Sequence, residues 1–257
     1  MEPITSRSNE RLKAARRLQA KKHRLAAGLF LAEGEDIVSE ALSAGILPVE
    51  SFIAADRPPD EGLVARLGRG GPLQVVADAL LADLGTLGHP ARVISIFRLG
   101  DLPQRSPDST LGVHLHRVID PGNVGTVVRA AGALGPAFVS LSPGCSDPLS
   151  GKGVRASMGA VFRVPIALSD DLPGGVELVG LVPEGGEPLW ECDLSRPLAL
   201  VIGAERLGLP SDVIERCDRT CTVPLAPDAE SLNAAAAAVV GLYEAVRQRA
   251  ARSTQNR

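Results

Sequence analysis

The stretch LGVHLHRVIDPGNVGTVVRAAGALGPAFVSL, residues 111–141, decides the fold. LGVHLHRVI and AFVSL are short apolar runs of strand length. Between them, DPGNVG reads as a loop and TVVRAAGALG as a helix of small and apolar residues. Two strands joined through a helix run parallel, because an antiparallel pair needs only a hairpin. The stretch is therefore a β-α-β unit, and a parallel sheet is the expectation.

The surrounding sequence extends that unit. RVPIAL, VELVGLV and PLALVIG read as buried strands, and RTCTVPL as a further strand. SGKGVRASMGAVF reads as a loop with a short helix, LPSDVIERC as a helix, and ESLNAAAAAVVGLYEAVRQRAA as the closing helix. Continuous apolar strands between helices predict a mainly parallel α/β sheet covered on both faces. The first half alternates as well. NERLKAARRLQAKKHRLAAG (Asn9–Gly28) reads as one helix, with Ala14, Leu18 and Leu25 on one side and Gly28 as its stop. LFLAEG, VESFIAA, LQVVA and ARVISIFRL then read as strands, separated by the helices EDIVSEALSAG, EGLVARLGRGG and DALLADLGTLG. The polar, proline-containing GDLPQRSPDST, without periodicity, reads as a linker. The expected organisation is a small α/β domain over residues 1–99, a linker at 100–110 and a second domain over 111–257.

Composition excludes several classes. The chain of 257 residues is 45% apolar and 22% charged, an ordinary globular balance. No apolar run has the length of a membrane span, and the N-terminus lacks the pattern of a secretory signal, so a cytoplasmic location is expected. Residues 1–30 carry a net +6 within a chain of net −3. A basic arm on an acidic body suits a nucleic-acid binder, and equally a solvated helix face. Of Cys145, Cys192, Cys217 and Cys221, only the last two are close in sequence, and no matching histidine pair exists. A zinc site wants four spaced ligands, so buried or idle thiols are expected and no metal.

Three segments carry candidate chemistry. In Asp120–Gly135, Asn123 stands at the expected helix start, and Arg129 follows on a helix of small and apolar neighbours. The glycine spacing is not that of a dinucleotide fingerprint, and the acidic residue expected further on is missing, which argues against a nucleotide-dependent oxidoreductase. Glu205 follows an apolar strand end in LALVIGAERLGLP, where ligands of open α/β sheets gather. Taken alone, Arg129 has the alternative reading of a surface arginine at the helix edge, and Glu205 that of a carboxylate in a solvated loop or capping the next helix. Third, Ser231-Leu232-Asn233 precedes the alanine run Ala234–Ala238. SGKG (150–153) lacks the frame of a triphosphate-binding loop, yet Lys152 and Arg155 suit phosphate contacts. His114 and His116 alternate on a half-buried strand and read as structural.

Taken in order, these motifs resemble the SpoU/TrmH-type RNA ribose 2′-O-methyltransferases of the SPOUT superfamily. The matching residues are Asp120-Pro121-Gly122-Asn123-Val124-Gly125 with Arg129, then Gly203-Ala204-Glu205 with Gly208-Leu209, then Val223-Pro224-Leu225 with Ser231-Leu232-Asn233. The N-terminal stretch is similar to that family's substrate-binding domain, and DPLSGKGVRASMGAVFRVPI to its middle region.

The resemblance implies a C-terminal α/β domain with a deep trefoil knot, S-adenosylmethionine (AdoMet) as cofactor, and a homodimer. It implies methyl transfer to a ribose 2′-hydroxyl of RNA, ribosomal RNA ahead of transfer RNA. The rival is a non-catalytic RNA-binding or ribosome-assembly factor of the same fold. Arg129 is the implied catalytic arginine, in one arrangement supplied by a second copy. Asn123, Glu205, Ser231 and Asn233 are the other polar site positions, with Glu205 and Asn233 holding Arg129 and the ribose. Leu181, Val182, Pro183, Ile202, Gly203, Val223, Leu225 and Leu232 are the implied cofactor contacts, mostly through main chain. Arg7, Arg11, Lys13, Arg16, Arg17, Lys21 and Lys22, with Lys152 and Arg155, are the implied RNA contacts. Two departures stand out: Ala204 where the family often has a polar residue, and Arg206 where a smaller one is usual.

Overall fold

The computed structural model describes residues 2–86, 90–135, 137–226, 228 and 231–255. By its contacts the chain forms two compact units, Met1–Leu102 with Asp147–Arg163, and Pro103–Ser146 with Val164–Arg257. The sequence-based division had grouped 147–163 with the second half.

In the first unit the expected single helix over Asn9–Gly28 is two. Asn9 caps α1 (Glu10–Arg17), its side chain accepting from the amides of Arg11 and Leu12. The chain then turns and re-enters α2 (Lys21–Ala27), which ends at Gly28 with φ 65°. A break leaves carbonyls without helical partners. Here buried Arg24 donates to Leu18 O at 2.8 Å and Gln19 O at 2.7 Å. Leu18 is buried, whereas Leu25 is 58% exposed, so the expected shared stripe is split.

There follow β1 (Leu29–Glu33), α3 (Glu35–Ser43), β2 (Glu50–Ala54), α4 (Glu61–Leu67), β3 (Leu73–Val76), α5 (Asp78–Leu84) and β4 (Val93–Arg98). The expected extension of α5 through Leu87 and Gly88 lies outside the described residues. The sheet order is β1-β4-β2-β3, with β4 antiparallel to both neighbours and β2 parallel to β3. Residues 147–163, which include a short helix (α7 in chain order, Gly151–Ala156), join this core. Phe162 sets its ring 4.9 Å from Phe97 and 5.7 Å from Phe30. Arg24 also pairs with Asp147, and Arg163 with Glu40 at 2.6 Å.

The second unit is built on the β-α-β stretch: β5 (Leu111–Leu115), α6 (Pro121–Leu134) and β6 (Ala137–Leu141). α6 begins five residues earlier than expected. Asp120 caps it and Pro121 supplies a preset first-turn φ, so the glycines of the expected loop DPGNVG are helical. The remaining elements are β7 (Ile166–Leu168), β8 (Glu177–Leu181), β9 (Glu187–Pro188), β10 (Leu198–Ile202), α8 (Ser211–Ile214), β11 (Arg219–Thr222) and α9 (Ala234–Gln255). All described strand pairs in this sheet are parallel, in the order β7-β6-β5-β10-β8-β11-β9. β5, β6 and β10 are buried at every position, as central strands covered on both faces must be. β7, expected to be buried, is an edge strand with two of three residues exposed.

α9 explains the alanine run. Ala234, Ala235 and Ala238 are buried, with Gly241, Leu242 and Ala245 continuing the same face. This helix packs on α6 and β10. A Cβ at Gly241 would lie 2.8 Å from Leu200 Cδ1, so only a small residue permits the approach. Two cysteines depart from expectation, because Cys192 and Cys221, both buried, are joined in a disulfide. Cys145 and Cys217 are free, and burial raises both thiols, Cys217 to about 11. No helix among the described residues is long and apolar enough to cross a membrane.

Candidate active site

The site grows from the carboxyl ends of the parallel strands of the second unit. From β5 the chain steps to β6 and β7 on one side, then crosses to β8 and returns to insert β10 between β5 and β8. Such a reversal of strand order opens a crevice at the strand ends. A pocket of about 560 Å³ lies there, lined by the turns after β8, β10 and β11 and by the start of α9. Its size falls in the range of roughly 300–1,000 Å³ usual for small-molecule sites. All eight residues expected to hold the cofactor line it: Leu181, Val182, Pro183, Ile202, Gly203, Val223, Leu225 and Leu232. Glu205 and Ser231 line it too, together with Ala234 and Ala237 of the alanine run and with Glu184, which the sequence pattern does not mark.

The turn after β10 is tight. Gly208 N donates to Ala204 O at 2.9 Å, and Gly208 takes φ 62°. A Cβ on Gly203 would lie 2.1 Å from the Gly208 carbonyl carbon, so the turn closes only over glycine. That closure carries Glu205 to the start of α6. Asn123 Nδ2 donates to Glu205 Oε1 at 2.6 Å, and Asn233 Nδ2 donates to Asn123 Oδ1 at 3.1 Å. Asn233 Oδ1 in turn accepts from the amides of Ala235 at 2.9 Å and Ala236 at 3.3 Å. The end of α9 can offer only donors, which fixes how both amides point. Their amino groups are directed in series at the Glu205 carboxylate. Two helix N-termini, each partially positive, thus meet one carboxylate through two asparagines.

Arg129 departs from expectation. It is exposed on α6 and makes no hydrogen bond or ion pair among the described residues. Glu205 and Asn233, expected to hold it, instead bond Asn123. Asn123 itself is not the cap but lies in the first turn, where Asp120 caps its amide. His114 is buried with Nδ1 2.8 Å from Ser140 Oγ, and desolvation lowers it to about 4. The sulfurs of Cys192 and Cys221 lie with a Glu187 carboxylate oxygen within 4.8 Å, but the two thiols are already spent on each other.

The candidate RNA contacts lie in the first unit and are not equivalent. Arg7 pairs with Asp83, Arg11 with Glu50 at 2.6 Å, and Lys13 with Glu10 at 2.8 Å. Arg155 donates to Thr86 Oγ1 at 3.0 Å and lies 3.7 Å from Glu33. Lys152 begins α7, one residue past its start. Arg16, Arg17, Lys21 and Lys22 form no ion pair among the described residues. Lys13, Arg16, Arg17 and His23 line an open depression of about 370 Å³ between α1 and α2. That depression exists because the helix breaks, which the periodicity did not reveal.

A parallel sheet with a mostly apolar pocket at its carboxyl ends, bordered by a hydrogen-bonded polar trio, defines an α/β protein built to hold a small organic ligand beside a second reactant. Family models identify which. The SpoU rRNA Methylase family matches residues 110–243, and an MRM3-like substrate binding domain matches residues 9–95. The chain is 30% identical to the 23S rRNA (guanosine(2553)-2′-O)-methyltransferase RlmP of Bacillus subtilis, over 95% of this chain and 98% of that one. It is 33% identical to a 23S rRNA (uridine(2479)-2′-O)-methyltransferase of Streptomyces viridochromogenes, over 96% and 92%. The crystal structure of an AdoMet-bound rRNA methyltransferase from Sinorhizobium meliloti superposes with a TM-score of 0.83 at 32% identity, covering 96% and 97%. The chain belongs to the SpoU rRNA methylase family.

Proposed function

We propose that this chain transfers a methyl group from AdoMet to a ribose 2′-hydroxyl of ribosomal RNA, and does so as a homodimer. The observation that carries the reading is the joining of three sequence-distant motifs through the bonds Asn233–Asn123–Glu205, with Glu205 lining the pocket. Two relatives that cover nearly the whole chain are named for that reaction on guanosine and on uridine. The acceptor is thus a ribose, and the base differs among relatives.

The pocket fits AdoMet in kind. Its apolar walls suit an adenine ring, and the exposed main chain of three turns offers donors and acceptors at the edges. Glu184 and Glu205 bring negative charge to a cationic ligand. The folding of these turns into a trefoil knot belongs to this proposal. AdoMet, when bound, supplies an electrophilic methyl on a positively charged sulfur. The chain's residues then have to place a hydroxyl in line and stabilise the oxygen as its proton leaves. The N-termini of α6 and α9 favour that negative charge. A guanidinium keeps its proton, so Arg129 stabilises the oxygen rather than acting as base.

Among the described residues Arg129 bonds no site group of its own chain, which supports its service to the site of a second copy. α9 presents an outward stripe of Ala236, Val240 and Tyr243, the last 58% exposed, suited to burial between copies. The cations Arg16, Arg17, Lys21 and Lys22, without an ion pair among the described residues, would bind RNA phosphates with steep salt dependence. Ribosomal RNA as substrate implies work in the cytoplasm. The test is methyl-labelled AdoMet offered with unmodified ribosomal and transfer RNA. Label is expected in ribosomal RNA; label in transfer RNA alone would move the substrate, and none in either would leave the RNA-binding factor.

A further inference from the structure

Among the described residues, the two most exposed large apolar side chains each stand within four residues of a member of the polar trio. Leu207 is 87% exposed and Ile119 is 71% exposed. Leu207 lies two residues after Glu205, and Ile119 four residues before Asn123, so the bond between Glu205 and Asn123 brings both backbones to one rim. Each has an exposed arginine at hand, Arg206 directly before Leu207 and Arg117 two residues before Ile119. Single apolar residues at a surface need no explanation, but this pairing of position and charge does.

Neither tip is loose. Leu207 sits on the turn closed by the Ala204–Gly208 bridge. Arg117 takes φ 53°, a left-handed conformation uncommon for a residue with a Cβ. Its amide donates to Ser142 Oγ at 3.0 Å, Ser146 N donates to Val118 O at 2.9 Å, and Ser146 Oγ donates to Ile119 O. Val118 is fully buried, so the neighbouring Ile119 is held outward on a braced backbone. Backbone strain of this kind clusters where a surface has a task.

We infer that Ile119 and Leu207 are a pair of wedges that separate the acceptor nucleotide from its stacked neighbours, with Arg117 and Arg206 taking the flanking phosphates. The inference rests on the reading of the site as an RNA methyltransferase. Its chemistry is that of unpaired RNA, which alternates apolar base faces with anionic phosphates along one strand. Leucine and isoleucine are among the side chains that proteins insert between base steps, and braced tips help to offset the cost of opening a step. A ribose inside a folded RNA cannot reach the trio unless its neighbours yield.

The experiment compares I119S, L207S and the double variant with the unaltered protein. Both positions are solvent-facing, so the variants should fold, and denaturation midpoints check this. The probe is an unmodified transcript of the large-subunit ribosomal RNA, supplied folded and again after heat denaturation and rapid cooling, with kcat/KM for methyl transfer read on each. The ratio of folded to denatured kcat/KM should fall at least tenfold in I119S and further in the double variant. R117A and R206A should each lower the salt dependence of kcat/KM by about one unit of slope on logarithmic axes. An unchanged ratio overturns the inference while leaving methyl transfer by the unaltered protein intact. No transfer by the unaltered protein on either form overturns the underlying reading instead. A weakened AdoMet affinity in L207S by calorimetry would make that residue a cover for the pocket. A shift of the double variant to monomer in sedimentation would make the tips a contact between copies. Either result overturns the wedge.

Discussion

Asn233 serves two structures with one amide. Its Oδ1 caps α9 while its Nδ2 points Asn123 at Glu205. Asn233→Asp keeps the cap acceptor but replaces the donor by a charged oxygen facing Asn123 Oδ1. We expect α9 to survive and methyl transfer to fall at least a hundredfold, whereas Asn233→Ala should also lose about 1 kcal/mol of stability with the cap. Circular dichroism, denaturation and single-turnover transfer separate these outcomes. The residue types of the trio were legible in the sequence as polar positions beside strand and helix ends. Their mutual bonds were not, because the partners stand 82 and 110 residues apart. A second residue-scale prediction concerns His114, whose ring burial, helped by His116 and Arg216, lowers to about 4 from 6.5. The unfolded chain binds this proton at a higher pH than the native one. Stability is therefore full above pH 6.5 and falls as pH drops toward 4. About 2 kcal/mol should be lost between pH 7.5 and 5 through this group. Urea denaturation at both values should show that difference, and His114→Asn, which keeps a polar partner for Ser140, should abolish it.

At the scale of elements, the disulfide ties the loop after β9 to β11, next to the turn that lines the pocket with Val223 and Leu225. Closing a separation of 29 residues removes unfolded-chain entropy worth roughly 3–4 kcal/mol. Reduction should lower the melting temperature of the native protein by several degrees and should leave a Cys192→Ala variant unmoved. Equal melting with and without reductant in the native protein would show that the bond contributes nothing. The cysteines could not be paired from sequence, since C-x3-C drew attention to Cys217 and Cys221 rather than to Cys192. Most elements were readable, because apolar runs bounded by glycine and proline mark strands and helices without tertiary help. Two were misread and one was missed, for physical reasons. The Asn9–Gly28 helix breaks where Arg24 rewards the turn, α6 starts early because Asp120 and Pro121 outweigh the glycines after them, and β9 is too short to carry a pattern.

For the whole molecule, the parallel order was implied by one β-α-β stretch, but the transfer of residues 147–163 to the first unit was not. Phe162 and Arg163 make that choice through contacts with Phe97 and Glu40, which no local pattern announces. The proposed homodimer yields a prediction of its own. Arg129→Ala and Asn233→Ala should each be inactive alone. If Arg129 serves the second copy, mixed dimers of the two variants contain one complete site and recover up to half the activity of the native dimer. Service within one chain recovers none. The most direct measurement is nucleoside analysis of ribosomal RNA after incubation with the protein and methyl-labelled AdoMet. The account predicts one labelled 2′-O-methylnucleotide, in a linkage resistant to alkaline hydrolysis, and its absence with Arg129→Ala. Label on a base, or no label in RNA from a folded protein that binds AdoMet, would contradict it.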